Sequence, residues 1–353
     1  MSRARPAAKG ARAPAYAPGN APGNAPGTAP GHVPVMLREV LELLAPRTGA
    51  IYVDGTLGAG GYSRALLEAA ECTVWAIDRD PEAIARGRDL AERYPNRLRL
   101  VEGCFGDMDR LIQARGGGAV DGVAFDLGVS SLQLDRPERG FSFQHDGPLD
   151  MRMSAPGGTP QPTAADVVNN LPEAELADLI RRYGEERQAR RVASAIVAAR
   201  RDKAITRTGE LADIVRRVVR RGAAGRDPAT RTFQAIRIYV NDEIGELRRG
   251  LGAAERLLAP GGCLVVVSFH SLEDRTVKAF IKERSGASAG TTRHRPAPPR
   301  PSRRPTFEPA AGTPREPTAE ECATNPRARS ARLRAARRTE APAWNSAPKE
   351  LSP

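Results

Sequence analysis

At 353 residues, with 40% apolar residues and a formal net charge of +12, the chain is long enough for two domains or one domain carrying an insertion. Its four cysteines, Cys72, Cys104, Cys263 and Cys322, lie far apart with no C-x-x-C, which argues against a zinc site and a disulfide framework and fits a reducing compartment. No apolar run approaches the roughly 20 residues needed to span a bilayer, and the N-terminus lacks an apolar secretory core, so the expected location is the cytoplasm, with no membrane partner.

The placement of charge says more than its sum. Residues 1–31 hold four basic and no acidic residues, and residues 286–353 hold thirteen basic and six acidic ones. The stretch between is therefore near neutral, and the two ends carry the excess. Basic ends favour a polyanion through counterion release, or serve as solubilising arms.

Residues 1–31 are rich in Ala, Pro and Gly, with units such as Ala17-Pro18-Gly19-Asn20, and predict a disordered tail. From His32 the pattern changes. Val35, Leu37, Val40, Leu41 and Leu44 recur at helical spacing, and Pro46 with Gly49 stops the helix. Strands are predicted at Ile51–Val53, Thr73–Ile77, Leu98–Val101, Val123–Phe125 and Cys263–Val267, the early ones separated by helices, so the sheet is parallel and the class α/β. Between the fourth and fifth strands, 173–183, 187–202, 207–221 and 229–258 read as helices. The expected organisation is a discontinuous sheet domain, 32–134 plus 227–285, interrupted by a helical subdomain at 135–226. Past 286 the chain turns Pro/Arg-rich and reads as an extended, poorly packed tail.

The most informative stretch is Ile51-Tyr52-Val53-Asp54-Gly55-Thr56-Leu57-Gly58-Ala59-Gly60-Gly61. A short strand runs into acid and then into glycines that let backbone approach a ligand. A second strand, Thr73–Asp78, also ends in acid. Strand, glycine turn, helix and acid-ended strand form half of a nucleotide-binding βαβ unit, in which Asp78 would hold ribose hydroxyls. A dinucleotide site needs G-x-G-x-x-G for its pyrophosphate, and here the third glycine is missing. Asp54 before the loop instead suits a ligand with a cationic end, such as S-adenosylmethionine.

In an open α/β sheet the ligand sits beyond the carboxyl ends of the strands. Phe105, past the third strand, could flank an adenine or belong to the core. Asp126, ending the fourth, could face the methionine moiety or the reacting amine, or cap a helix. Gln133 follows within reach. After the fifth strand comes Ser268-Phe269-His270-Ser271-Leu272-Glu273-Asp274-Arg275, where His270 could orient substrate, move a proton, or be structural. Gln234, Arg237 and Asn241 share one face of a predicted helix, either a solvated stripe or a cleft wall.

These residues resemble a known family. Asp54-Gly55-Thr56 with Gly58, Gly60 and Gly61, then Ala76–Asp80, are similar to class I S-adenosylmethionine-dependent methyltransferases. Asp126–Ser131, Arg139–Phe143 with Asp146–Met153, Tyr183–Arg187, Ser268–Arg275 and Asn325–Arg334 narrow the match. They resemble the bacterial 16S rRNA cytosine-N4 methyltransferases, family H of the small-subunit series, formerly MraW. The resemblance covers about 32–285 and 325–338. It implies a Rossmann-like sheet, S-adenosyl-L-methionine as cofactor, and N4-methylation of a cytidine in the decoding region of 16S rRNA, within the assembled small ribosomal subunit. It carries cofactor contacts onto Gly60, Gly61, Tyr62, Asp78, Phe105, Asp126 and Gln133. Relatives usually have His where Tyr62 stands, and some carry cysteines where this chain has its Pro/Arg tract near 293–305. No Asp/Asn-Pro-Pro-Tyr/Phe follows the fourth strand, so the resemblance names no catalytic residue. Asp126 and nearby backbone carbonyls are candidate acceptors by position. A methyltransferase acting on a protein or small molecule, and a non-catalytic RNA-binding relative, stay open as alternatives.

Overall fold

The computed structural model describes residues 34–154, 161–220, 227–286 and 303–344. The predicted N-terminal tail and most of the Pro/Arg tract lie outside them. The first half alternates: α1 (Leu37–Leu44), β1 (Ile51–Asp54), α2 (Gly61–Ala69), β2 (Thr73–Asp78), α3 (Pro81–Arg93), β3 (Leu98–Glu102), α4 (Met108–Gln113), β4 (Val120–Asp126). A short helix, α5 (Ser131–Leu134), leads to α6 (Ala164–Asn170), α7 (Glu173–Gly184), α8 (Ala189–Asp202), α9 (Thr208–Val218) and α10 (Ala229–Asn241). The chain returns through α11 (Glu243–Leu257), β5 (Leu258–Ser268) and α12 (Ser271–Arg284), and ends with β6 (Phe307–Pro309), α13 (Ala319–Thr324) and β7 (Arg332–Arg338).

The sheet runs β3-β2-β1-β4-β5-β7-β6. β1 to β5 are parallel, and β7 is antiparallel to both β5 and β6. The strand order reverses between β1 and β4, which places the ligand crevice at their carboxyl ends. Side chains alternate across the sheet as a two-residue period requires. Tyr52, Val74, Ala76, Ala124, Val265 and Leu333 pack on one face with α1 and α2. Val53, Trp75, Ile77, Val123, Phe125, Leu264 and Val266 pack on the other with α4, α11 and α12. Each large apolar side chain this deeply buried contributes about 1.5–3 kcal/mol.

A third apolar cluster belongs to α6–α10, with Leu176, Ile180, Val192, Ile196, Leu211 and Val215 at its centre. The single helix expected at 229–258 is two. Asp242 stands between them in the left-handed conformation, at φ 49°, and a Cβ on Gly245 would fall 2.2 Å from its carboxylate. The apolar side chains of α10, Phe233, Ala235, Ile236 and Val240, join the helical cluster, so α11 brings the chain back to the sheet.

The expectation of a poorly packed tail past 286 does not hold for 303–344. β7 pairs along β5 from Cys263↔Arg337 to Ser268↔Arg332, with Leu333, Ala335 and Ala336 buried. The arginines of β7 that made it look solvated are satisfied instead. Arg338 donates to the carbonyls of Glu255 and Thr306, and Arg334 pairs with Asp274 at 2.6 Å.

Candidate active site

Two acids shape the exits of β1 and β2. Asp54 is buried, with both oxygens engaged. Oδ1 accepts from the Thr56 N–H at 3.2 Å, and Oδ2 accepts from the Ser63 N–H at 3.1 Å and the Ser63 hydroxyl at 2.7 Å. It ties the glycine turn to the first turn of α2, whose N–H groups lack helical partners. Its Oδ1 takes only the Thr56 N–H and keeps acceptor capacity, while its Oδ2 is spent on Ser63. Asp78 accepts from the Gly58 N–H at 2.8 Å and the Asp80 N–H at 2.9 Å, one bond to each oxygen. Burial pushes it up to about 6. Each oxygen keeps acceptor capacity, which fits a pair of ribose hydroxyls.

Gly60 is the left-handed N-cap of α2, at φ 77°. Gly61 follows, and a Cβ there would lie 2.2 Å from the Pro34 ring. The space that glycine leaves is filled by the chain's own N-terminal strap. The Tyr62 ring is buried, and its hydroxyl donates to the Val35 carbonyl at 2.6 Å. Burial, then the charges of Asp126 and Asp54, raise its phenol well above the ordinary value. The ring serves the core, so only backbone at 60–62 is left to meet a ligand. Phe105 is half-buried, packed at a tilt of 40° against Phe125 with centroids 4.8 Å apart, and held by α11, where a Cβ on Gly250 would come within 2.4 Å of its ring. Gln133 is engaged at both ends. Oε1 accepts from the Ser130 N–H at 3.0 Å and Nε2 donates to Asp80 at 2.9 Å. Asp80 itself caps α3 and pairs with Arg139 at 3.1 Å.

The β4 exit differs. The Asp126 N–H donates to the Thr56 hydroxyl at 2.7 Å, which fixes the backbone at the switch point. Its side-chain Oδ1 is buried and has no hydrogen-bond partner among the described residues. Burial first, then the charges of Asp54 and Glu273, push its carboxyl up to about 8. An unpartnered buried acceptor costs about 1–3 kcal/mol, and native proteins keep few.

Past β5, His270 caps α12, and its Nε2 lies 3.1 Å from Glu273 Oε1. Glu273 also accepts from the Phe269 N–H at 2.8 Å. Burial works to raise Glu273, but His270, that N–H and Arg237 together hold it below the ordinary value. Glu243, His270 and Glu273 bring ligand-type atoms within 4.8 Å of one another. Arg237, however, engages both oxygens of Glu243, at 2.7 and 2.8 Å, and supplies the positive charge there. The supposed polar stripe of α10 faces inward. Asn241 is buried and clamps the Met151 carbonyl and the Met153 N–H, and Arg79 reaches its carbonyl. Spacing alone does not reveal this role.

The edge thus gathers Asp78 with spare acceptor capacity, the backbone of the glycine turn, and the unpartnered Oδ1 of Asp126 at the carboxyl ends of β1, β2 and β4. The sheet, with its antiparallel strand between β5 and β6, is of the α/β kind that holds ligands beyond the strands' carboxyl ends, and its relatives make the chain an S-adenosylmethionine-dependent methyltransferase. A family model described as the MraW methylase family matches residues 29–339, and the chain belongs to that family. It is 60% identical over 314 residues to ribosomal RNA small subunit methyltransferase H of Paramagnetospirillum magneticum, covering 89% of this chain and 98% of that one. Its identity to the protein of the same name from Rhodospirillum centenum is 60% over 311 residues, covering 88% and 93%. Among the described residues, no helix is long and apolar enough to cross a membrane.

Proposed function

We propose that this enzyme methylates N4 of a cytidine in the decoding region of 16S rRNA, within the assembled small subunit, and that Asp126 accepts the proton. S-adenosylmethionine, when bound, supplies a methyl already activated on a sulfonium. The observation that carries the chemistry is the buried, unpartnered Oδ1 of Asp126 at the switch point. Cytosine N4 is a weak nucleophile because its lone pair is delocalised into the ring. Asp126 accepts a hydrogen bond from that amine, turns it toward the methyl, and takes the proton it sheds. Asp78 holds the ribose, Phe105 flanks the adenine, and the backbone of Gly60, Gly61 and Tyr62 lines the turn.

Phe269, half-buried beside Gly128, offers an apolar wall for a base lifted from its stack. The helical cluster α6–α10 walls the cleft as an inserted subdomain. The substrate is drawn from the named relatives. The test uses small subunits from a strain lacking this gene, labelled S-adenosylmethionine, and nucleoside mass spectrometry. N4-methylcytidine is the expected product. Label in protein or small molecules, with none in RNA, overturns the reading.

A further inference from the structure

The floor of this cleft is acidic. Asp54, Asp78, Asp80 and Asp126 gather at the exits of β1, β2 and β4, and Glu243 and Glu273 lie beside the exit of β5. Three arginines of this region are already engaged: Arg139 with Asp80, Arg237 with Glu243, and Arg79 with the Asn241 carbonyl. RNA carries a negative charge on every nucleotide. A base reaches such a floor only if cations on the rim hold the phosphates beside it.

Two sequence segments not yet given a role meet that rim. In Tyr183–Arg187, Glu185 accepts from the Ser271 hydroxyl and pairs with Arg275 at 2.6 Å. Both partners belong to the start of α12, so Arg187, two residues further on, is delivered to the β5 exit from the helical side. In Asn325–Arg334, Arg332 sits opposite Ser268, the last residue of β5. The turn Pro326–Ser330 therefore stands beyond the carboxyl edge, and Arg327 anchors it to Asp135 at 3.2 Å, two residues past Gln133.

Five arginines lie between 315 and 334, and four have carboxylate partners. Arg315 pairs with Glu42, Arg327 with Asp135, Arg332 with Glu316, and Arg334 with Asp274. Arg329 has no hydrogen bond, ion pair or ring contact among the described residues, and neither does Arg187. Both are exposed. Each segment is pinned by its neighbours while one guanidinium is left uncompensated.

We propose that Arg187 and Arg329 bind the RNA phosphates flanking the target nucleotide, one from the helical side of the cleft and one from the β7 side. A guanidinium suits this because its fork matches two phosphate oxygens. The inference rests on the reading of the chain as an rRNA methyltransferase.

The test measures kcat/KM on unmethylated small subunits across a salt series for wild type, Arg187→Gln, Arg329→Gln, the double variant, and Arg329→Lys. Arg88→Gln, on the exposed face of α3, is the control. One lost phosphate contact reduces the log–log salt slope by about 0.7–0.9, so each Gln variant's deficit shrinks about threefold between roughly 50 and 200 mM salt. The two reductions add, Arg329→Lys keeps most of its slope, and the affinity for S-adenosylmethionine and the melting temperature stay at wild-type values. Wild-type slopes in both Gln variants, or an equal change in Arg88→Gln, overturn the inference. Absence of methyl transfer by the wild type fails the functional reading instead.

Discussion

Asp54 and Asp126 end neighbouring strands at one edge of one sheet, and burial raises the carboxyls of both. Their surroundings divide them. Three donors converge on Asp54, two from Ser63 and one from Thr56, so its charge is consumed in holding the glycine turn against α2. One oxygen of Asp126 has no donor among the described residues, although its backbone is fixed by Thr56. Two identical side chains at equivalent positions thus do different work. The satisfied one builds the turn, and the other keeps an unmet acceptor, the one proposed to receive the substrate's amine.

The comparison breaks most directly at Asp126. Asp126→Asn keeps the shape and removes the acceptor charge, and should lower single-turnover transfer by about 10²–10⁴-fold, or roughly 3–5 kcal/mol in the barrier. Cofactor affinity measured by calorimetry should change far less. Transfer within tenfold of wild type would remove Asp126 from the chemistry.

The next effect is on pH. The folded carboxyl titrates near 8 and the unfolded one near 3.9, so the native state binds more protons between those values. Stability of the ligand-free protein should therefore fall as pH rises across that window, by up to about 1.4 kcal/mol per unit. The transfer rate should climb over the same range, because only the ionised form accepts a proton. Urea melts and rate profiles check both, and Asp126→Asn should flatten each contribution.

Two smaller changes sharpen the claim that the β1 side is scaffolding. Gly61→Ala drives a methyl into Pro34 and should cost about 1–3 kcal/mol in stability by denaturant melts. Tyr62→Phe strands the Val35 carbonyl and should cost about 1 kcal/mol. Cofactor affinity should be unchanged, and a tenfold loss would mean that the phenol reaches the ligand after all.

The sheet's parallel core was legible in sequence because each strand is a short apolar run, and four of its exits announce themselves in acid: Asp54, Asp78, Glu102 and Asp126. What escaped was decided by distant partners. Apart from Leu333, Arg332–Arg338 is arginine and alanine, a composition that favours helix or solvent. It becomes a strand only because β5 offers an open edge and Glu255, Thr306 and Asp274 absorb the guanidinium groups. The break at Asp242 depends on a close approach that Gly245 alone permits. The roles of Gln133 and Asn241 were hidden for a similar reason, since their partners lie 53 and 90 residues away.

The pairing of β7 with β5 also bears on how the molecule comes into being. Synthesis runs from the N-terminus, so β5 is made some sixty residues before the strand that covers it. Until then its outer edge presents bare peptide groups, an invitation to pair with any other extended chain. The N-terminal strap waits longer still, because the Met36 N–H is met at 2.7 Å by Glu321. A ribosome that stalls before Arg332 would release a sheet that is sticky and unfinished, so quality control on this enzyme falls to its last segment.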